Sequence, residues 1–139
     1  MAQVTERLSE EQRKFLDENP FVGVVTTIRP DGSPHSTVVW VDTELDGTPS
    51  FNTARGRSKP AYLEQNPHVA LTVVDPQNTH RWVSISGRAE LTESGADAQI
   101  DKLAKKYLGE DEYPFRKPEE TRVKVLIRPE RVDSTGLDA

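Results

Sequence analysis

The chain has 139 residues, a formal net charge of -5 and 34% hydrophobic residues, a composition that suits one domain with a modest core and argues against broad nucleic-acid binding. It contains no cysteine, which excludes disulfides, thiolate metal sites and thiol nucleophiles. No apolar run approaches the ~20 residues needed to cross a bilayer, and the N-terminus "MAQVTERLSEEQRK" lacks the apolar centre of a signal peptide, so the expected location is the cytoplasm.

In chain order, Ser9-Glu10-Glu11-Gln12 reads as a capping box opening a helix over about 9–19, ended by Asn19-Pro20. "FVGVVTTI" (21–28) is a buried strand, and "RPDGSP" supplies turn chemistry before "HSTVVWV" (35–41) returns as a second strand. Alternation puts His35, Thr37, Val39 and Val41 on one face of that strand and Ser36, Val38 and Trp40 on the other. Asp46-Gly47 turns the chain into a third strand, "PSFNT" (49–53). A helix follows, with Ser58 or Lys59 as its cap and Pro60 in its first turn, closed by Asn66-Pro67.

"HVALTVV" (68–74) and "RWVSISGRAEL" (81–91) are the fourth and fifth strands, Gly87 marking a bulge or a close backbone approach. Thr92 to Leu108 has helical spacing (Ala96, Ile100, Leu103, Tyr107) and is closed by Gly109. The last strand is "RVKVLIRP" (122–129). Short strands joined by tight turns, with few helices, predict an antiparallel barrel in a single domain over 1–139.

The common catalytic signatures are missing: there is no GxGxxG, P-loop, GxSxG elbow or HExxH. His35, His68 and His80 lack the close spacing of a metal site. Two features stand out instead. Arg55, Arg57 and Lys59 concentrate positive charge in five residues of an acidic chain, at the start of a helix, where unpaired N–H groups and the helix dipole favour an anion. Solvated surface charge is the competing reading of that loop. Trp40 and Trp82 lie at strand ends, as core filler or, for Trp82, as the wall of a pocket.

The run "FVGVVTTIRPDGSPHSTVVWVD", the loop "NTARGRSK", the strand "NPHVAL" and "HRWVSISGRAEL" together resemble the pyridoxamine 5'-phosphate oxidase-like split β-barrel superfamily, from about Leu8 to the end of the chain. Within it the chain is most similar to the flavin/deazaflavin oxidoreductases that use coenzyme F420. The resemblance implies a six-stranded antiparallel split β-barrel that forms a homodimer with two cofactor sites at the subunit interface. Ser36, Thr37, Val38 and Val39 would run beside the cofactor ring. Asn52 and Thr53, with Arg57, Ser58 and Lys59, would hold its phosphate, and Arg55 would serve an acidic tail. Asn78 and Trp82 would border the site, from the same subunit or across the dimer.

The implied activity is hydride transfer from the reduced deazaflavin to a conjugated small-molecule acceptor, with no nucleic acid, membrane or metal involved. Biliverdin, quinones and other enones all stay open as acceptors. No acid–base residue is singled out, because the cofactor carries the hydride chemistry. FMN is the alternative cofactor, and a non-catalytic flavin, deazaflavin or tetrapyrrole (haem) binding module the alternative role. The chain stops soon after its last strand, leaving little room for the C-terminal region with which the oxidases proper bind pyridoxal phosphate.

Overall fold

The computed structural model describes residues 7–137. The first helix, α1 (Glu10–Asp17), carries the anticipated capping box: the Ser9 hydroxyl accepts from the Gln12 N–H, and the Gln12 side chain accepts from the Ser9 N–H. Seven strands follow among the described residues: β1 (Gly23–Ile28), β2 (Pro34–Val39), β3 (Val41–Thr43), β4 (Pro49–Ala54), β5 (His68–Val74), β6 (Trp82–Thr92) and β7 (Arg122–Thr135). Helix α2 (Ser58–Gln65) joins β4 to β5, and α3 (Ala96–Leu108) joins β6 to β7. No helix among the described residues is long and apolar enough to cross a membrane.

All strands pair antiparallel in one sheet, in the order β2-β1-β5-β6-β7-β4-β3. The count is seven rather than six because the run 35–41 breaks at Trp40. Its first part pairs with β1 at one edge of the sheet, and its continuation pairs with β4 at the other. A single residue spans the two edges, so the sheet must curl until they meet. Alternating apolar side chains fill the curl: Val25, Phe51, Leu71, Ile85, Val125 and Ile127 are fully buried, with Phe15 and Leu16 of α1 packed among them.

Two further boundaries differ from the sequence reading. The last strand runs on to Thr135, because the polar segment after Pro129 keeps pairing with β6 although it lacks an apolar alternation. Helix α3 begins at Ala96 rather than Thr92, since Thr92 still belongs to β6 and Gly95, at φ +77°, turns the chain into the helix. Gly87 sits at the register shift of the β6–β7 ladder opposite Pro129, and a Cβ there would overlap the Arg128 carbonyl. The glycine is therefore required by the close backbone approach.

The C-terminal end of α3 pins the seam where the edges meet. Trp40 stacks on Tyr107, with ring centroids 5.3 Å apart and planes 7° from parallel. The Tyr107 hydroxyl donates to the Phe21 carbonyl at 2.8 Å and accepts from the Val41 N–H at 2.9 Å. Lys106 donates to the Leu16 and Val41 carbonyls at 2.5 and 2.8 Å. Burial pushes the Tyr107 hydroxyl up to about 12, so it keeps its proton and its donor role at neutral pH, and pushes the Lys106 ammonium down to about 8.

Tyr107→Phe keeps the ring stack and removes only the hydroxyl, leaving the Phe21 carbonyl and the Val41 N–H without that partner. It is expected to cost about 1–3 kcal/mol of stability, read from urea unfolding midpoints at constant slope. An unchanged midpoint would mean that water replaces the hydroxyl without loss.

Candidate functional site

Beside this seam lies a cleft of about 220 Å³. The end of β2 supplies Val38, Val39 and the adjoining Trp40; β4 supplies Asn52; the start of α2 supplies Arg57 and Lys59. The opposite wall is Ile100 and Leu103 of α3, with Tyr113 from the connection after α3 and Arg122 at the start of β7. Five of the residues singled out in the sequence, Val38, Val39, Asn52, Arg57 and Lys59, thus converge on one cavity.

The basic loop enters the cleft through local backbone geometry. Gly56, at φ +89°, turns the chain between β4 and α2, and Arg57 takes the extended conformation of a helix cap. The cap is Arg57 rather than Ser58 or Lys59, and no side chain among the described residues caps the start of the helix. Ser58 and Lys59 are its first two residues, and Pro60 the third. The proline costs nothing there, because first-turn N–H groups lack intrahelical partners in any case.

Lys59 reaches across to the Thr37 hydroxyl on β2, 3.2 Å away. Its partial burial, and then the charge of Arg57, push its ammonium below the ordinary lysine range. Arg57 donates to Glu120 at 3.2 Å and leaves half of its side chain in solvent.

The remaining expected residues lie around the cleft or away from it. Ser36 is on the outer face of β2, hydrogen-bonded to Thr26 at 2.8 Å. Thr53 alternates with Asn52 to the other face of β4; it is 1% exposed, and its hydroxyl has no hydrogen-bond partner among the described residues. Arg55 turns away to Glu64 and Glu93, at 2.8 and 3.2 Å, so its charge is already matched on the surface.

Asn78 belongs to the turn between β5 and β6, where its side chain accepts from the His80 N–H. Trp82 faces a separate shallow hollow of about 430 Å³ with Thr72, Val74, Ser84 and Asp133. Among the described residues no group of His, Cys, Asp or Glu is arranged to hold a metal.

The residue that sequence reasoning passed over is Arg122. Only 5% exposed, it donates from Nε to the Asn52 carbonyl oxygen at 2.9 Å and from one terminal nitrogen to Glu120 at 2.9 Å, and its guanidinium lies 5.2 Å from the Tyr113 ring centroid. Asn52 in turn donates to Gln99 and to the Ala96 carbonyl, and the buried Gln99 donates to Ser50 and Asp42. A continuous polar chain therefore connects the interior with the cleft. An isolated arginine at a strand start carries no motif; in the ladder Arg122 faces Ala54, and only its side-chain hydrogen bond to Asn52, two residues along β4, marks it.

Three cations, Arg57, Lys59 and Arg122, thus line the cleft, and the one carboxylate Glu120 pairs with Arg57 and Arg122, so the cleft keeps an excess of positive charge. Burial works to raise the Glu120 carboxyl, but the hydrogen bond from Arg122 and the charges of Arg122 and Arg57 outweigh it and hold the group below its ordinary 4.5. The cleft can take an anion with flat apolar matter beside it.

The sequence model of the pyridoxamine 5'-phosphate oxidase family matches residues 8–136. Among solved structures, the chain is similar to an F420 reductase (28% identity, TM-score 0.73, covering 86% of this chain and 94% of that one). It is also similar to a conserved hypothetical protein from Mycobacterium tuberculosis (25%, TM-score 0.72, 99% and 89%). The General Stress Protein 26 of Bacillus anthracis shares the fold (21%, TM-score 0.64, 90% and 92%). Among curated proteins, none matches the chain significantly.

The depressed carboxyl of Glu120 carries a pH signature. Its pairing stabilises the fold above the unfolded-state value near 4.5, and that contribution is lost as pH falls through the lower folded-state value. Glu120→Gln is therefore expected to lower stability at neutral pH and to converge on the wild type in acid. Parallel unfolding curves at neutral and acid pH check this; a gap that stays constant between them contradicts it.

Proposed function

The chain belongs to the pyridoxamine 5'-phosphate oxidase family, and from that premise we propose that it is a coenzyme F420-dependent reductase acting on a conjugated small-molecule acceptor. The observation that carries the reading is the charge of the cleft: Arg57 and Lys59 stand at an uncapped helix start, against the apolar end of β2. That arrangement suits a phosphate tethered to a flat ring. The similarity to an F420 reductase favours the deazaflavin over FMN, which would fit the same charges.

When bound, the deazaflavin supplies a hydride from its C5. The chain's own groups bind and orient. Arg57 and Lys59 would grip the phosphate, with Glu120 holding Arg57, Thr37 holding Lys59 and Asn52 holding Arg122, and Val38, Val39 and Trp40 would give the ring an apolar wall that excludes water. Such positioning supplies much of what hydride transfer requires.

A cleft of about 220 Å³ is below the ~300–1,000 Å³ of a usual ligand site. A single protomer thus accommodates the phosphate end and leaves the ring on the edge of β2. The outer face there is apolar and exposed: Val38 is 63%, Val24 44% and Val74 39% accessible, and Trp82 continues it on β6. The register sets Val38 opposite Val24 and Val74 opposite Trp82, so this is one face running from the cleft across the sheet. We read it as the contact between two copies of the chain, which would complete each ring pocket and place Trp82 of one copy toward the cleft of the other.

Three outcomes are expected. Light scattering at low micromolar concentration should give twice 15.6 kDa, and a monomer that still binds cofactor would contradict the shared pocket. Reduced coenzyme F420 should be oxidised on mixing with at least one enone, quinone or bilin acceptor. Arg57→Ala and Lys59→Ala should each weaken coenzyme binding by about 1.5–3 kcal/mol while leaving the unfolding midpoint nearly unchanged. Tight FMN binding without affinity for F420 would overturn the cofactor assignment, and binding without oxidation by any acceptor would favour a carrier.

A further inference from the structure

Arg122 is held in a way that its structural bonds alone do not exhaust. Its side chain is 3% exposed, and its Nε and one terminal nitrogen are spent on Asn52 and Glu120. The second terminal nitrogen has no hydrogen bond among the described residues, and it is not sealed from solvent either. Arg122 lines the cleft with Arg57 and Lys59, which makes that nitrogen the group the cleft can use.

Three supports fix the plane of the guanidinium: the Asn52 carbonyl oxygen on one edge, the Glu120 carboxylate on a second, and the Tyr113 ring 5.2 Å away. Glu120 also holds Arg57, through its other oxygen. One carboxylate therefore sets the separation of two guanidiniums on the same cavity. Ordering a free arginine against an anion costs side-chain entropy; here the fold has already met most of that cost.

We propose that Arg122 is a third anion-binding residue of the cleft, preset by Asn52 and Glu120 to direct its remaining nitrogen at the phosphate of the bound cofactor. The inference rests on the reading of the cleft as a phosphate site and adds a residue and its supports to it. Glu120 acts here as a positioning residue. It balances one of the three cations without closing the site, leaving a net positive charge suited to a phosphate group.

The test compares each phosphate-bearing ligand with its phosphate-free counterpart: coenzyme F420 with its deazariboflavin core, and FMN with riboflavin. Fluorescence titration of the wild type and Arg122→Lys gives the ratio of affinities within each pair. Lysine keeps the charge but loses the planar fork, so the ratio is expected to fall about ten- to a hundredfold, the worth of a charge-assisted bond, with binding of the phosphate-free ligands unchanged. A purely structural arginine would weaken both members of a pair equally and leave the ratio intact.

In the wild type, arginine side-chain NMR reads the same contact without a substitution. The Arg122 signals should move with the phosphate-bearing ligand and stay in place with its phosphate-free counterpart. An unchanged ratio, or Arg122 signals indifferent to the phosphate, overturns the role of Arg122 while leaving Arg57 and Lys59 as the site. Failure of the wild type to distinguish either phosphorylated ligand from its counterpart overturns the reading of the cleft itself, and the inference with it.

Discussion

Trp40 is the single residue that carries the chain from one edge of the seven-stranded sheet to the other. A flat sheet of that width would hold its edges several strand spacings apart, at ~4.8 Å each, far beyond the reach of one residue. The curl is therefore imposed by connectivity, and the apolar interior is what fills it. Stacked on Tyr107, which itself binds backbone on both sides of the seam, Trp40 is also a wall of the cleft. The feature that curls the sheet is thus the one that positions the cleft.

Much of this was legible in the chain's local chemistry. The Ser9–Gln12 box, the turns at Asp31-Gly32 and Asp46-Gly47, the strand at 68–74 and the close approach at Gly87 all rest on interactions within a few residues or on strong backbone preference, and each appears in the structure. The break at Trp40 was not legible, because the β-branched run continues across it and the signal for two strands is topological. The extension of β7 to Thr135 was hidden for a related reason: its polar segment is held by the ladder to β6, not by burial of an apolar face.

The candidate site divides along the same line. The density of Arg55, Arg57 and Lys59 marked the loop that enters the cleft, but not which of its charges point there. Arg55 is spent on Glu64 and Glu93, and those partners lie nine and 38 residues away. Arg122 was invisible because its meaning comes from Asn52, Glu120 and Tyr113, brought together only by folding. The cleft is accordingly a local inversion of charge in an acidic protein. It is sustained by a polar chain that runs from Arg57 through Glu120, Arg122, Asn52 and Gln99 to the buried Asp42 and its ion pair with Lys102. Breaking such a chain leaves buried groups unpaired, so the charges at its mouth are stiffer than surface charges usually are.

The central claim is that this cleft, and not the larger hollow beside Trp82 alone, receives the phosphate of a ring-bearing cofactor. A crystal structure of the protein with coenzyme F420 bound tests it most directly. The account predicts the phosphate within hydrogen-bond distance of Arg57 and Lys59, with the ring along Val38 and Val39. Phosphate density elsewhere, with Arg57 still bound only to Glu120, would contradict it.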